Sequence, residues 1–554
     1  MRPLAIIGID GGTLSVVEPM LAAGELPNLA RIFREGASGE LESEKPPITP
    51  PAWTSFMTGV NPGRHGIFHF IRKVVGTYET QLVDSRNFAG RDLMSLLARR
   101  GWTVGAVNVP MTFPPFPLPG SYMISGIPCP LEGSALGQPA GILEEVEAFL
   151  GRPYRPDVDY GPYDGDSERP VDDLDLYDDL RRELFEIEED RLRVLKEWYR
   201  RQPTDLLFTC ISVTDRISHY FWRFQDPAHP GWSEEGQQRF GGVIAESYRF
   251  ADRMVGEIRE MLGEEATVVL FSDHGFGPQT ADFQIADWLE QEGFLVRRRV
   301  PRFAWGRTRL GHALERLGLG GLARGLGPLA RLPVVRPKIK RIPDMRDIVW
   351  ERTRAWPVMH GIAINQKGRE PKGIVEPGED TRRLLVEIAE RLDHLRFPDG
   401  RKAVDYSALS EAVYRGPFVP TAPDLQYQMD GLACLPKEGW SMKSMFETRR
   451  YAPISGQHRF EGFFAAAGPT IAPGSRIEDM HIQDCAPTLF HVLGEPVPGW
   501  MEGHVHAGIL RQPREPEVDD SPEPEVGAGT GADAFSEAEA AAIEESLRGL
   551  GYLQ

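Results

Sequence analysis

The chain is poor in cysteine, in positive charge and in long apolar runs. Its 554 residues contain four cysteines, Cys129, Cys210, Cys434 and Cys485. They are widely scattered, without CxxC or zinc-knuckle spacing, so they read as small buried hydrophobes and not as a disulfide frame. Lys and Arg number 62 against 81 Asp and Glu, a formal net charge of -19. That balance argues against general nucleic-acid binding, which depends on basic residues releasing the counterions of phosphates. No run approaches the roughly 18 apolar residues of a membrane span. The opening MRPLAIIGIDGG has one Arg and a short apolar run that stops at Asp10 without a small-residue cleavage pattern, so no secretory signal is read and the expected address is the cytoplasm.

What is present is an ordinary globular composition, 41% hydrophobic and 26% charged, enough for a sizeable core. From residue 1 to about 290, strand and helix patterns alternate, which predicts a parallel sheet covered on both faces. WTVGAVNVPMT (102–112) reads as a strand, and 174–201 as a long amphipathic helix with Leu180, Leu184, Ile187, Leu192, Leu195 and Trp198 on or near one face. The expected organisation is a core in two parts, 1–296 and 431–512, interrupted by a basic insertion and a small α+β cap (297–430). An acidic Pro/Gly linker (513–535), read as disordered, and a short helix (536–554) follow. Within the insertion, 297–341 holds thirteen Lys or Arg and one acid, Glu315. Such a stretch suits a solvated surface, an anionic membrane or a cover over an anionic substrate.

Three apolar runs end in an aspartate: LAIIGID at Asp10, DLLFTCISVTD at Asp215 and ATVVLFSDH at Asp273. Open α/β sheets place their chemistry at the carboxyl ends of parallel strands. Two runs also bring a histidine, His219 four residues after Asp215 and His274 directly after Asp273. Two divalent ions can clamp the attacking and leaving oxygens of a displacement at phosphorus, and need about six such ligands. Asp10, Asp215, His219, Asp273 and His274 supply five, and His458 in SGQHRFEGFF is the sixth candidate.

A nucleophile candidate lies in PPITPPAWTSFMTGVNPGRHG (46–66), where Thr49 precedes two prolines and an expected helix. Coordination to a divalent metal would favour its alkoxide, and a helix N-terminus would stabilise phosphate charge. Thr49 could equally be an N-cap, with Thr54, Ser55 and Thr58 bonding locally. His65 and His69 read as loop-ordering groups.

Asp10 after an apolar strand, TPPAWTSFMTG with Thr49, DRISH with Asp215 and His219, SDHG with Asp273 and His274, and GQH with His458 resemble the type I phosphodiesterase and nucleotide pyrophosphatase branch of the alkaline phosphatase superfamily. The motifs fall in the family's order. The resemblance implies an α/β fold with an alkaline-phosphatase-like, mostly parallel central sheet, helices on both faces and a smaller inserted cap. It implies one metal held by Asp215, His219 and His458, and a second held by Asp10, Asp273 and His274 with Thr49 bound to it as nucleophile. The family typically uses zinc, and some relatives manganese. The implied activity is hydrolysis of a small phosphoester, nucleotide or lipid- or glycan-linked, through a phospho-threonine. Where nucleotide pyrophosphatases carry an asparagine after the nucleophile, this chain has Ala52, which leaves one oxyanion contact to Asn61 or to a backbone N–H near Pro51 and Ala52. The CxPxR signature of sulfatases is absent. Phosphomutase or phosphotransferase activity, favoured by a cap that excludes water, and a non-catalytic scaffold are the competing readings. Peripheral membrane contact through 297–341 would point to a lipid-linked substrate.

Overall fold

Seven strands carry the architecture: β1 (Leu4–Ile9), β2 (Ala37–Glu42), β3 (Val104–Val109), β4 (Tyr122–Ser125), β5 (Leu206–Ile211), β6 (Thr267–Phe271) and β7 (Glu461–Ala467). They lie side by side in the order β2-β7-β6-β1-β5-β3-β4, and short strands at the edges complete a ten-stranded sheet. Strands β6, β1, β5, β3 and β4 are parallel, whereas β7 runs antiparallel to both β6 and β2. Every residue of the five parallel strands is buried, as expected for a sheet with both faces covered. The computed structural model describes residues 3–131, 136–163, 173–298, 347–440, 444–450, 452–525 and 535–553.

Alternation along β1 divides the core in two. Ala5, Ile7 and Ile9 face one apolar layer, and Leu4 and Ile6 face the other. The first layer is filled by helices α2 (Leu174–Arg201), α3 (Val213–Gln225), α4 (Val243–Leu262) and, from the far end of the chain, α5 (Glu537–Gly549). The second is filled by α1 (Thr49–Thr58) and the helices Leu93–Arg99 and Cys485–Leu493. Trp53 of α1 presses so closely on β1 that a Cβ at Gly8 would lie 2.4 Å from its ring, so only glycine lets α1 sit this low. The four cysteines are free and buried.

A third apolar cluster builds a smaller body. Its sheet runs Ala355–Val358, Gly361–Ile364, Leu425–Met429, Val404–Leu409, with helix Glu379–Asp393 packed on it. The smaller inserted α+β body was expected from the pattern of 356–430.

Two expectations need correction. Asp215 does not end a strand: β5 stops at Ile211 and Asp215 lies in the first turn of α3. Buried Glu188 of α2 causes the early stop, because its carboxylate accepts from Ser212 N, Val213 N and Ser212 Oγ at 3.1 to 3.2 Å and starts a helix there. The acidic stretch 513–525 is also ordered where disorder was expected. Val518–Asp519 pairs with Val497–Pro498, Asp519 meets Arg100 at 3.0 Å, and Glu523 bridges Arg64 and Arg91 at 2.7 and 2.6 Å. Its charges are matched by arginines of the core. The basic stretch 297–341 lies outside the described residues from 299 onward. Among the described residues, no helix is long and apolar enough to cross a membrane.

Candidate active site

The register of the sheet brings the carboxyl ends of β5, β1 and β6 level. Ile9 pairs with Ile211, and Gly8 with Phe271. Asp10 follows β1 directly and donates its N–H to Ile211 O at 3.0 Å. Thr214 Oγ1 donates to Asp10 O at 2.6 Å, tying the start of α3 to the end of β1. On α3, Asp215 and His219 are four residues apart and share a face. His458 enters from Gly456–Arg459, which pairs antiparallel with Gly275–Pro278 just after His274.

Six of the seven residues singled out in the sequence meet through their side chains. His219 Nε2 and His458 Nε2 lie 3.5 and 3.3 Å from Asp215 Oδ1, and 3.1 Å from each other. His274 Nε2 lies 3.3 Å from Asp273 Oδ2, 3.5 Å from Asp10 Oδ1 and 4.0 Å from Asp215 Oδ1. The His274 and His458 rings stack at 3.5 Å. Asp215 Oδ1 thus belongs to both groupings, Asp215, His219, His458 and Asp10, Asp215, His274.

The three imidazoles are oriented by one device. His219 Nδ1, His274 Nδ1 and His458 Nδ1 reach the carbonyls of Gly456, Gly275 and Pro47 at 3.1, 3.1 and 2.7 Å. A carbonyl only accepts, so each Nδ1 carries the proton and each Nε2 aims a lone pair into the site. Burial pushes His219 down to about 3 and His274 well below its usual value, which keeps both rings neutral.

The carboxylates divide differently. Burial, then the charges of Asp273 and Asp215, raise Asp10 well above the carboxylate range. Burial and Asp215 push Asp273 up to about 8. For Asp215, burial is opposed and outweighed by the groups around it, the Arg216 guanidinium among them, so it stays below the usual range. Arg216 Nη1 bonds Asp215 Oδ2 at 2.5 Å, and its Nη2 bonds buried Asp157 at 3.1 Å. Arg216 therefore holds one Asp215 oxygen and leaves the other to the site.

Thr49 opens α1, behind Ile48 as N-cap, so it is not itself the cap. Its segment touches the site through Pro47, whose carbonyl accepts from His458. Thr54 and Thr58 bond carbonyls of their own helix at 2.7 Å, the local role open to them. Asn61 has no donor to spare: its amide caps Gly63 and bonds Arg415 and Glu502. Pro51 has no N–H, and Ala52 N donates to Ile48 O at 3.2 Å, so neither expected substitute for the missing asparagine is free. His65 orders its loop, accepting from Ile67 N at Nδ1 and meeting Ser55 Oγ at Nε2. His69 instead lies edge-on to His360 of the smaller body, with both ring nitrogens unpartnered.

Two residues in the site were not foreseen. Arg216 stood inside the DRISH motif unremarked. Tyr552 comes from beyond α5, its hydroxyl 3.1 Å from His219 Nε2 and 3.2 Å from His458 Nε2. An apolar helix face predicts that α5 docks, but not that the residue after it reaches the site.

Whether these residues fit a metal is decided by what they leave unsatisfied. Asp10 Oδ1, Thr49 Oγ1, Asp215 Oδ1, Asp273 Oδ2 and His274 Nε2 are buried without a hydrogen-bond partner. Two Nε2 lone pairs facing each other at 3.1 Å repel unless a cation or donor stands between them. The three carboxylate oxygens converge on His274 Nε2 at 3.3 to 4.0 Å, and such a buried acceptor set fits a divalent ion bound by nitrogen and oxygen.

A mostly parallel sheet with a carboxylate and imidazole crevice at its carboxyl edge is the arrangement that the sequence resemblance implied, and the class it points to is that of the phosphoester hydrolases. The family model for type I phosphodiesterase / nucleotide pyrophosphatase matches residues 4–462, and the chain belongs to that family. No curated protein matches the chain significantly. Among solved structures, phosphonoacetate hydrolase from Sinorhizobium meliloti 1021 in complex with phosphonoformate superimposes with a TM-score of 0.51 at 15% identity, over 89% of this chain and 95% of that one. Human ectonucleotide pyrophosphatase / phosphodiesterase 5 gives 0.49 at 13% identity, over 92% and 100%. At 15% identity the likeness to phosphonoacetate hydrolase is one of fold.

Proposed function

We propose that the chain hydrolyses a small phosphodiester at a two-metal site through a phospho-threonine on Thr49. Asp215, His219 and His458 would hold one ion, and Asp10, Asp273 and His274 the other, with Asp215 Oδ1 reaching toward both groups. Zinc suits this nitrogen and oxygen set, and manganese is the alternative. The ions would supply the positive charge that favours the Thr49 alkoxide and stabilises the departing oxygen.

The chain's own residues do the rest. Thr49 is fixed at the first position of a helix buried along its whole length, and its hydroxyl is tied to nothing within the protein. It is therefore free to attack phosphorus, forming the Thr49 O–P bond as the ester O–P bond breaks, the hydroxyl proton ending on the departing oxygen to give the free alcohol. Water then cleaves that bond and regenerates the hydroxyl. Imidazoles locked through Nδ1 keep the ligand atoms in place without reorganisation. The observation that carries the reading is the set of unpartnered buried atoms, Thr49 Oγ1 among them.

The test is a phosphoester panel, diester and monoester, run with zinc, manganese and magnesium on the wild type and Thr49→Ala. Diester turnover that disappears in Thr49→Ala while metal content is retained supports the reading, and full activity in that variant overturns it.

A further inference from the structure

We infer that Tyr552 is a fourth donor to the ion held by Asp215, His219 and His458, delivered by the C-terminal helix. The inference rests on the two-ion reading above and extends it to a residue outside the family-matched span of 4–462.

Donor spacing carries it. In a tetrahedral shell with metal–ligand bonds of 2.0 to 2.1 Å, neighbouring donors lie about 3.3 Å apart. Tyr552 Oη is 3.1 Å from His219 Nε2 and 3.2 Å from His458 Nε2. The two nitrogens are 3.1 Å apart, and Asp215 Oδ1 is 3.5 and 3.3 Å from them. Five of the six edges of a four-donor tetrahedron are thus present at 3.1 to 3.5 Å.

The segment is built to hold that oxygen in place. Ser536 and Glu539 form a capping box at the start of α5, and Ile543, Leu547 and Leu550 bury its inner face. Gly549 lies so close to the body that a Cβ there would stand 2.4 Å from Tyr160 Cβ. Tyr220, next to His219 on α3, donates from its hydroxyl to Gly549 O at 2.7 Å. Gly551, at φ +79°, turns the chain back, and Tyr552 N closes the turn on Leu547 O at 2.9 Å. The ring packs against Phe70 at 4.7 Å and leaves Tyr552 2% exposed. A tyrosine that served only to anchor the helix would have its ring buried and its hydroxyl at the surface or on a backbone group. Here the hydroxyl points at the ligand atoms.

The test is a cobalt(II) titration of full-length, chelator-treated protein, read by visible absorption and by competition with a chromophoric chelator. Wild type is expected to bind two equivalents. Tyr552→Phe keeps the ring, and is expected to weaken one of the two by at least about tenfold, with a changed absorption band, while the other is unchanged. Wild-type affinities and spectrum in Tyr552→Phe overturn the role of Tyr552 and leave the two-ion reading standing. Failure of the wild type itself to bind two ions overturns both.

Discussion

The two halves of the crevice are built from the same residue types but balanced differently. Around His219 and His458 the acid is compensated: Arg216 holds the far oxygen of Asp215, Asp157 holds Arg216, and the Tyr552 hydroxyl meets the imidazoles. Around His274 the described residues offer no lysine or arginine pairing directly with an acid: Asp273 Oδ1 accepts only a long bond from Gly11 N at 3.4 Å, and Asp10 Oδ2 only the Cys210 thiol at 3.7 Å. Asp10 and Asp273 are buried beside each other and each leaves an oxygen without a partner. The difference teaches where the fold is most dependent on a cation. One half is held together by protein charges, and the other stores repulsion that only bound positive charge or a proton relieves.

The comparison is broken most directly at Thr49, the proposed nucleophile. Thr49→Ala is expected to lower diester hydrolysis by at least about a thousandfold, with metal content unchanged by atomic absorption. Next comes the compensated half. Arg216→Met strands Asp215 and Asp157 without their buried partner, and urea denaturation should show a loss of about 3–5 kcal/mol. The uncompensated half should respond with the opposite sign. Asp273→Asn removes a carboxyl that burial and Asp215 push up to about 8. Chelator-treated protein should therefore gain on the order of 2 kcal/mol at pH 8 in the same assay, while metal affinity falls. If both variants shift stability in the same direction, the contrast between the halves is wrong.

The smallest effect lies outside the crevice, and gives a control for pH. Burial, with Arg91, lowers His65 from its ordinary 6.5 to about 3. Below pH 6.5 the unfolded chain then binds a proton that the folded chain does not. The His65 contribution is complete above pH 6.5 and is lost as pH falls toward about 3. His65→Gln should flatten the fall in melting temperature over that window without touching metal binding.

Much of the crevice was legible because strand ends advertise it. Asp10, Asp273 and His274 follow buried runs of Val, Ile, Leu and Phe, and the sheet sets those runs level. Asp215 was legible as a ligand candidate but not in its position, since the apolar run continues past Ile211 and only Glu188, from a distant helix, starts α3 there. Arg216 could not be told from a surface arginine, because Asp157 is 59 residues away. Tyr552 is 94 residues from His458, with no local pattern joining them. The acidic 513–525 stretch misled for the same reason: composition records its charges but not the arginines at 64, 91 and 100 that meet them. Local periodicity carries the frame of this molecule, and pairings across long loops carry its refinements.

The histidine lock has a consequence for variation. Each Nδ1 is held by a main-chain carbonyl, of Gly456, Gly275 or Pro47, and every amino acid has that group. Point substitution cannot delete the acceptor, as it could delete a carboxylate in the same role. What substitution can do is displace it: a Cβ at Gly456 would lie 2.2 Å from Ser218 O, and one at Gly275 would lie 2.2 Å from Glu461 O. The protonation pattern of the three rings is thus inherited through the path of the backbone, and drift can reach it only by way of shape.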